Sequence, residues 1–178
     1  MGIDHSDPRE GLKKWNDEME TLDEVCTNLG NKRCLRVHYE QLVLHPRKWM
    51  EIVLGFLGVP WEESVMRHHL QINKPGGVRV SAAERSSDQI IKPVNLEALT
   101  EWVGTFSTDI VNDMHEIAPM LEQLGYSPSE NPPNYGTPDE EVLENTKRIL
   151  ENKDFWTKKQ KQMVKEMEKP ENINVISE

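Results

Sequence analysis

The chain has 178 residues, a formal net charge of −10 at pH 7 and 36% hydrophobic residues, a composition typical of a soluble globular chain. The length fits one domain or one large piece of a bigger one. The acidic balance argues against nucleic acid as the main partner, because neutralising phosphates requires a basic face. Its apolar runs are shorter than the roughly 18 residues that span a bilayer, and residues 1–10 lack the apolar core of a signal peptide. We therefore expect no membrane segment in this chain.

Helix signals dominate the first seventy residues. Apolar residues recur every three or four positions from Glu10 onward, which predicts an amphipathic helix that ends with Gly30 as its C′ residue. The alternation of apolar and polar residues from Leu35 to Tyr39 predicts a half-buried strand. Pro46 suits the first turn of a second helix, and a third is predicted from Trp61 to Leu70. The predicted buried stripe of the second helix consists of Trp49, Ile52, Val53, Phe56 and Leu57.

The second half of the chain predicts further helices and a charged tail. A short helix with Asn95 as a possible cap precedes a longer one over residues 107–126, which Pro119 is expected to kink or break. Residues 139–152 predict a last helix with acidic residues at its start and basic residues near its end. We predict a folded domain from residue 10 to 151 and a charged, disordered or weakly helical tail from residue 152 to 178.

A single predicted strand among about six helices needs an explanation, because its backbone groups require partners. Either the protein is mainly helical with one stray extended segment, or the strand belongs to a sheet whose other strands lie outside this sequence. We favour the second interpretation.

The two cysteines, Cys26 and Cys34, are eight residues apart. Two thiolates without further ligands do not make a structural zinc site, which leaves a short-loop disulfide or two buried thiols. Asn28, Gly30 and Asn31 allow the intervening chain to reverse, which favours the disulfide without excluding the thiols. Such a loop would contribute about 2.5 kcal/mol in the chain-entropy model and would indicate an oxidising compartment.

The usual nucleotide and metal motifs are absent from the sequence. It contains neither the P-loop pattern nor GxGxxG. His68 and His69 are neighbours on a predicted helix and point about 100° apart, so they do not bind one metal ion together. We expect one of them to be packed and the other solvated. His38 and His45 are expected to be structural.

The loop from Ile72 to Asn95 is polar and carries a local net charge of +2 in an acidic protein. Ser86 and Ser87 follow Arg85, and hydroxyls and amides beside a cation are the donors that a phosphate or sulfate requires. A solvated surface loop whose cations offset neighbouring acids has the same composition. Charge alone favours that second interpretation.

Four strings in the order VHYEQLVLHP, KPGGVRVSAAERSSDQIIKPVN, EIAPMLEQLGY and NPPNYG resemble the C-terminal half of the tyrosylprotein sulfotransferases. The resemblance runs from about Leu12 to Leu150. It implies an α/β fold, a P-loop-like parallel sheet wrapped by helices, to which this chain contributes a mostly helical portion with one or few strands. It also implies transfer of a sulfuryl group from 3′-phosphoadenosine-5′-phosphosulfate (PAPS) to tyrosine hydroxyls of secretory and membrane proteins.

The resemblance assigns roles to individual residues. Tyr39 would contact the nucleotide, and Ser86 would stabilise the transferring sulfuryl group. Cys26 and Cys34 match a short disulfide of the family. The segment that would close over the nucleotide comprises Ser86, Ser87, Asp88, Gln89, Ile90, Ile91, Lys92, Pro93, Val94 and Asn95.

Two departures and one gap accompany the resemblance. Glu101 stands where the family usually has a lysine that contacts the nucleotide, and Ala83 stands where a lysine is common. The general base and the P-loop-like turn of the family have no counterpart in this sequence. We therefore expect a truncated chain that is inactive by itself. The alternatives are a non-catalytic short product that acts as a binding or dimerisation partner, and a helical interaction module unrelated to nucleotides.

The resemblance also sets expectations for partners and location. The sulfate donor would be PAPS, with no metal, and the acceptors would be acidic proteins that contain tyrosine. The full-length enzyme would be a homodimer anchored in the membrane and facing the Golgi lumen.

Overall fold

A computed structural model describes residues 7–78, 80, 87–130 and 132–167, without the side chains of residues 87, 166 and 167. A 3₁₀ helix, Glu63–Leu70, lies between α3 and α4. Within the described ranges there is no strand, and only an isolated bridge pairs Ile72 with Val78. The α-helices are α1 (Pro8–Leu29), α2 (Tyr39–Leu44), α3 (Pro46–Leu57), α4 (Ser87–Ile90), α5 (Glu97–Thr100), α6 (Thr108–Asn112), α7 (Met114–Ile117), α8 (Met120–Gln123), α9 (Glu140–Glu151) and α10 (Lys153–Met167).

Local capping explains where the longer helices begin and end. The Asp7 carboxylate accepts hydrogen bonds from the first amides of α1, and Gly30, with φ 72°, ends that helix. Pro46 opens α3 at its first position, and Asp139 is the N-cap of α9. The predictions of these three helices are confirmed.

The predicted strand is wrong for the described residues. Residues 34–38 are neither helix nor strand, and Tyr39 begins α2 instead of ending a strand. A strand needs a neighbouring ladder, and the structure pairs this segment with none. The chain is instead tied to α1, because the Arg36 guanidinium donates to Asp23 Oδ1 at 2.6 Å and to Thr27 Oγ1 at 2.6 Å.

Two predicted helices are interrupted more than expected. The stretch over residues 107–126 breaks before Pro119 as predicted, and it also breaks at Asp113, which separates α6 from α7. The predicted third helix is a 3₁₀ helix with a kink at Arg67, where φ is −125°. Short helical turns therefore replace two regular helices.

The chain divides into two compact units, and the first contains Met1–Glu40 and Glu97–Gly136. Its core consists of Ile110, Met114, Ile117 and Ala118, against which Leu12, Trp15, Phe106 and Leu121 pack. The buried Asn16 side chain accepts a hydrogen bond from the Met120 amide at 2.9 Å. The N-terminal half of α1 thus covers the α6–α8 turns, whereas Leu22, Val25 and Leu29 of its C-terminal half are exposed.

The second unit contains Gln41–Leu96 and Thr137–Glu178. Its core includes Ile91 and Met163, with Ile72, Val80 and Trp156 packed against them. The Leu44 carbonyl accepts from the Asp139 amide at 2.9 Å, and His45 Nδ1 lies 2.8 Å from Asp139 Oδ1. These contacts join the end of α2 to the start of α9.

The predicted buried stripe of α3 is wrong. Ile52, Phe56 and Leu57 are exposed, the last at 62%, while Trp49 and Val53 are half-buried. Amphipathic spacing reports which face of a helix is apolar and does not report whether something covers it. In the part of the chain that the structure describes, α3 packs mainly against the 3₁₀ helix.

The C-terminal stretch differs from the disordered or weakly helical tail that its composition suggests. Residues Lys153–Met167 form α10, which packs against α4 and α9 and buries Met163. A few apolar residues at helical spacing are enough to dock a charged helix when a matching surface exists. Residues 168–178 lie outside the described part. None of the described helices combines the length and apolar character needed to cross a bilayer.

Candidate functional site

The segment proposed to close over the nucleotide begins with α4 and continues as a turn. Ser87 opens α4, and Asp88, Gln89 and Ile90 are half-buried. Ser86 lies outside the described residues, as do Arg79, Ala83 and Arg85. The assignment of Ser86 to the sulfuryl group therefore stays a prediction.

Ile91 is a core residue, with only 2% of its surface exposed. Its side chain packs with Met163 and Trp156 of α10. Ile91 therefore belongs to the core of the second unit. The remaining residues of this segment, Lys92, Pro93, Val94 and Asn95, are half-buried.

Side chains from elements distant in the sequence hold the backbone of this segment. Lys159 Nζ donates to the Ile91 carbonyl at 3.3 Å, and Asn145 Nδ2 donates to the Val94 carbonyl at 3.3 Å. Thr146 Oγ1 accepts from the Leu96 amide at 3.0 Å. The Asn95 side chain donates to the Pro93 carbonyl at 2.9 Å, and α5 begins two residues later. The segment is anchored by side chains rather than by regular backbone pairing.

His68 belongs to the same arrangement. Burial lowers the pKa of the His68 imidazole, and hydrogen bonds to the backbone of Lys92 and Ile90 oppose that shift. The bonds tie the 3₁₀ helix to the end of α4. Reasoning from sequence assigned His68 no such contact, because 22 residues separate it from Ile90 and no local pattern links the two positions.

His69 differs from its neighbour. Burial, with the positive charges of His68, Lys159 and Arg67, lowers the pKa of His69 to about 4. Its Nδ1 is buried and makes no hydrogen bond among the described residues. The expectation that one histidine of the pair is solvated is wrong, because both rings are half-buried. Neutral His69 avoids placing another cation beside Lys159.

The turn that precedes the segment depends on one glycine. The Asn73 amide donates to the Val78 carbonyl at 2.8 Å, and the Val78 amide donates to the Gln71 carbonyl at 3.1 Å. A Cβ at Gly77 would lie 2.0 Å from the Gln71 carbonyl oxygen, which no side chain tolerates. Gly77 therefore closes a tight turn.

Tyr39 lies in the first unit, at the start of α2, with 55% of its surface exposed. Burial of the remaining part raises the pKa of its hydroxyl, and the carboxylates of Glu40 and Glu101 raise it further. The departure noted at Glu101 thus bears directly on Tyr39. Two carboxylates near this ring disfavour a negatively charged ligand there.

A polar cluster supports the residue next to Tyr39. The Tyr126 hydroxyl donates to Glu40 Oε2 at 2.7 Å and lies 3.2 Å from His38 Nδ1. Burial and the Glu40 carboxylate raise the pKa of Tyr126. The structural role expected for His38 agrees with these contacts. Glu40 is thereby held as an acceptor at the start of α2.

Cys26 and Cys34 form a disulfide, with their Cα atoms 5.3 Å apart. It closes the turn after α1 and precedes the segment that leads to Tyr39. The disulfide implied by the resemblance is therefore present in the structure.

A separate cleft of about 670 Å³ in the first unit contains none of the predicted site residues. Within the described ranges, no group of three or more His, Cys, Asp or Glu residues is arranged to hold a metal ion. The cleft is lined by Val111, Asn112, His115, Glu122, Gly125, Tyr126, Ser127, Pro128 and Ser129.

Comparison with known proteins identifies relatives that match most of the chain. A profile described as "Sulfotransferase family" matches residues 3–63. The protein-tyrosine sulfotransferase of Drosophila melanogaster is 52% identical over 92% of this chain and 33% of its own length. Protein-tyrosine sulfotransferase 1 of Danio rerio is 55% identical over 83% of this chain and 41% of its own length.

Protein-tyrosine sulfotransferase A of Caenorhabditis elegans is 45% identical over 99% of this chain and 47% of its own length. The chain thus spans a third to just under half of the length of these curated relatives. Over most of its length the chain is therefore similar to the protein-tyrosine sulfotransferases.

Proposed function

We propose that this chain forms part of a protein-tyrosine sulfotransferase. The observation that carries the proposal is the 45% to 55% identity to relatives of that name over 83% to 99% of the chain. Because the chain spans only 33% to 47% of those relatives, the complete activity requires sequence that corresponds to their remaining parts.

The chain's own residues would hold the sulfate donor and stabilise charge. When bound, PAPS supplies the sulfuryl group that a tyrosine oxygen attacks in line with the departing phosphate. The Ser86 hydroxyl donates a hydrogen bond to the oxygens of that group, where charge is redistributed in the transition state. Tyr39 contacts the nucleotide, and the backbone of Ser87–Asn95 closes over it. The base that removes the phenolic proton is not assigned to any residue of this chain.

The described residues favour this role in the segment Ile90–Leu96 and oppose it around Tyr39. The anchored backbone of Ile90–Leu96 offers a fixed surface that needs little reorganisation on binding, which favours affinity. Around Tyr39, in contrast, Glu40 and Glu101 oppose an anionic ligand. We propose that Glu101 weakens the binding of an anionic donor.

The remaining parts of the proposal follow from the family. The acceptors are acidic proteins that contain tyrosine, and the complete enzyme is a homodimer. It is anchored in the membrane and faces the Golgi lumen.

A chimaera tests the proposal. This chain would replace the matching 148 residues of the Danio rerio enzyme, and sulfation of an acidic tyrosine peptide would be measured with PAPS. We expect the chimaera to transfer sulfate and the isolated chain to transfer none. Ser86→Ala in the chimaera should lower the rate about a hundredfold, with Ser81→Ala as the matched control. A folded but inactive chimaera, or an unchanged rate with Ser86→Ala, would overturn the proposal.

A second candidate function, a non-catalytic binding or dimerisation partner, is favoured by one observation. Leu22, Val25 and Leu29 form an exposed apolar stripe along α1, with Leu22 exposed at 60%. Light scattering after size exclusion separates the candidates. Association that Val25→Glu abolishes supports the partner role, and a wild-type monomer counts against self-association.

A further inference from the structure

The backbone from Ile90 to Leu96 is contacted by side chains of three separate elements, all within the second unit. The 3₁₀ helix contributes His68, which bonds to the backbone of Ile90 and Lys92. Helix α9 contributes Asn145 to the Val94 carbonyl and Thr146 to the Leu96 amide. Helix α10 contributes Lys159 to the Ile91 carbonyl. Side chains from outside the segment therefore hold several of its backbone groups in place.

Helix α10 makes the apolar part of the same contact. Met163 and Trp156 pack against Ile91, which is almost fully buried. Apolar packing holds the segment against α10, and the hydrogen bond from Lys159 adds a polar contact at the same residue. Helix α10 thus supplies both the apolar and the polar contact with Ile91.

Lys159 is an unusual residue for this position. Its ammonium is half-buried, lies 4.8 Å from the centroid of the Trp156 ring and bonds to the Ile91 carbonyl. Removing an ammonium from water costs free energy, as the lowered pKa of Lys159 reflects. A carbonyl acceptor and a π face each recover part of that cost. An apolar residue here would pack without the cost and would leave the Ile91 carbonyl unheld.

We propose that Lys159 is a positioning residue which, with α10, holds Ile90–Leu96 in the conformation that receives the donor nucleotide. The inference rests on the proposed function for its ligand. The contacts of Lys159 and α10 with Ile90–Leu96, here called the clamp, are a property of this chain. Lys159 acts through the Ile91 backbone.

The experiment compares Lys159→Met with Lys158→Met in the full chain. Lys158 is the exposed neighbour on the same helix, so the two variants change charge and composition equally. Lys159→Arg keeps a cation and a donor and serves as the conservative rescue. Two readouts apply to each variant: amide hydrogen exchange of residues 88–96, and calorimetric affinity for 3′-phosphoadenosine 5′-phosphate (PAP).

We expect Lys159→Met to accelerate exchange of these amides and to weaken PAP binding, each about tenfold, which is the typical effect of losing a charge-assisted hydrogen bond. Lys158→Met and Lys159→Arg should stay within about threefold of wild type. Equal exchange in Lys159→Met and Lys158→Met overturns the clamp. Faster exchange with unchanged PAP affinity overturns the positioning role.

The two readouts distinguish a failure of the proposed function from a failure of the clamp. If the wild-type chain does not bind PAP, nucleotide binding by this chain is refuted, and the exchange data alone then judge the clamp. If Lys159→Met lowers the urea midpoint of the whole chain, Asn145→Ala takes its place. That variant removes the contact to the Val94 carbonyl and leaves α10 unchanged.

Discussion

Two segments of the chain are stabilised in opposite ways: Ile90–Leu96, which overlaps the stretch proposed to close over the nucleotide, and Cys34–Tyr39, which ends at the residue proposed to contact it. The first buries its central side chain, Ile91, and has its backbone bonded by side chains from the 3₁₀ helix, α9 and α10. The second is held by a disulfide and by Arg36, while Val37 and Tyr39 remain exposed at 36% and 55%.

The difference shows which part of a site this chain fixes by itself. Burial and satisfied backbone groups determine the conformation of Ile90–Leu96, so its geometry is a property of the described residues. The exposed Val37 side chain near Tyr39 gains little stabilisation from burial.

The largest expected effect contrasts a buried and an exposed position in these two segments. Ile91→Ala should lower the free energy of unfolding by about 2–5 kcal/mol, because it leaves a cavity among Met163 and Trp156. Val37→Ala should change it by at most about 0.5 kcal/mol. Urea unfolding followed by circular dichroism measures both. Similar losses from the two variants would contradict the contrast.

The disulfide supplies the second effect. Replacing Cys26 and Cys34 together by serine should cost about 2.5 kcal/mol, because the closed loop no longer restricts the unfolded chain. Reducing agent should destabilise the wild type by the same amount and leave the double variant unchanged. A wild-type chain insensitive to reductant in urea unfolding would refute the estimate.

A third effect distinguishes the two units by the pH dependence of stability. The pKa of His69 is about 4 in the folded chain and about 6.5 when unfolded. As pH falls below 6.5, the unfolded state binds a proton that the folded state does not, so stability is lost. Because His69 is partly exposed, we expect a loss of about 1 kcal/mol between pH 7.5 and 5.

His69→Gln, which does not titrate, provides the reference for that loss. The difference in unfolding free energy between wild type and His69→Gln should shift against the wild type as pH falls. A difference that stays constant across this range would show that His69 titrates normally. Reduction of the disulfide should not alter the shift, since Cys26 and Cys34 belong to the other unit.

Local sequence signals predicted the ends of α1, α3 and α9, because caps, prolines and glycines act within a few residues. The strand at Leu35–Tyr39 and the buried stripe of α3 were wrong because both depend on what covers them. Periodicity shows which residues are apolar and leaves their partners unspecified.

The predictions for the candidate site show the same difference between local signals and distant contacts. The disulfide that the resemblance implied is present, and the nucleotide role of the segment around Ile91 stays a prediction. Reasoning from sequence missed the contacts of His68 and Lys159 with that segment. The contact from Lys159 spans 68 residues, and its helix has a charged composition that suggested a tail. No local pattern marks a lysine as a partner for a distant carbonyl.

The smallest expected effect concerns Glu101, whose carboxylate contributes to the raised pKa of Tyr39. Glu101→Lys should lower that pKa and strengthen PAP binding about threefold to fivefold at low salt, with the gain shrinking as ionic strength rises. Glu24→Lys makes the same charge change at an exposed acid of the same unit that does not perturb Tyr39, and serves as the control. Tyrosinate absorbance in a Tyr126→Phe, Tyr135→Phe background follows Tyr39 without any ligand. If both lysine variants move the Tyr39 titration equally, the effect is one of net charge, and Glu101 has no special place beside Tyr39.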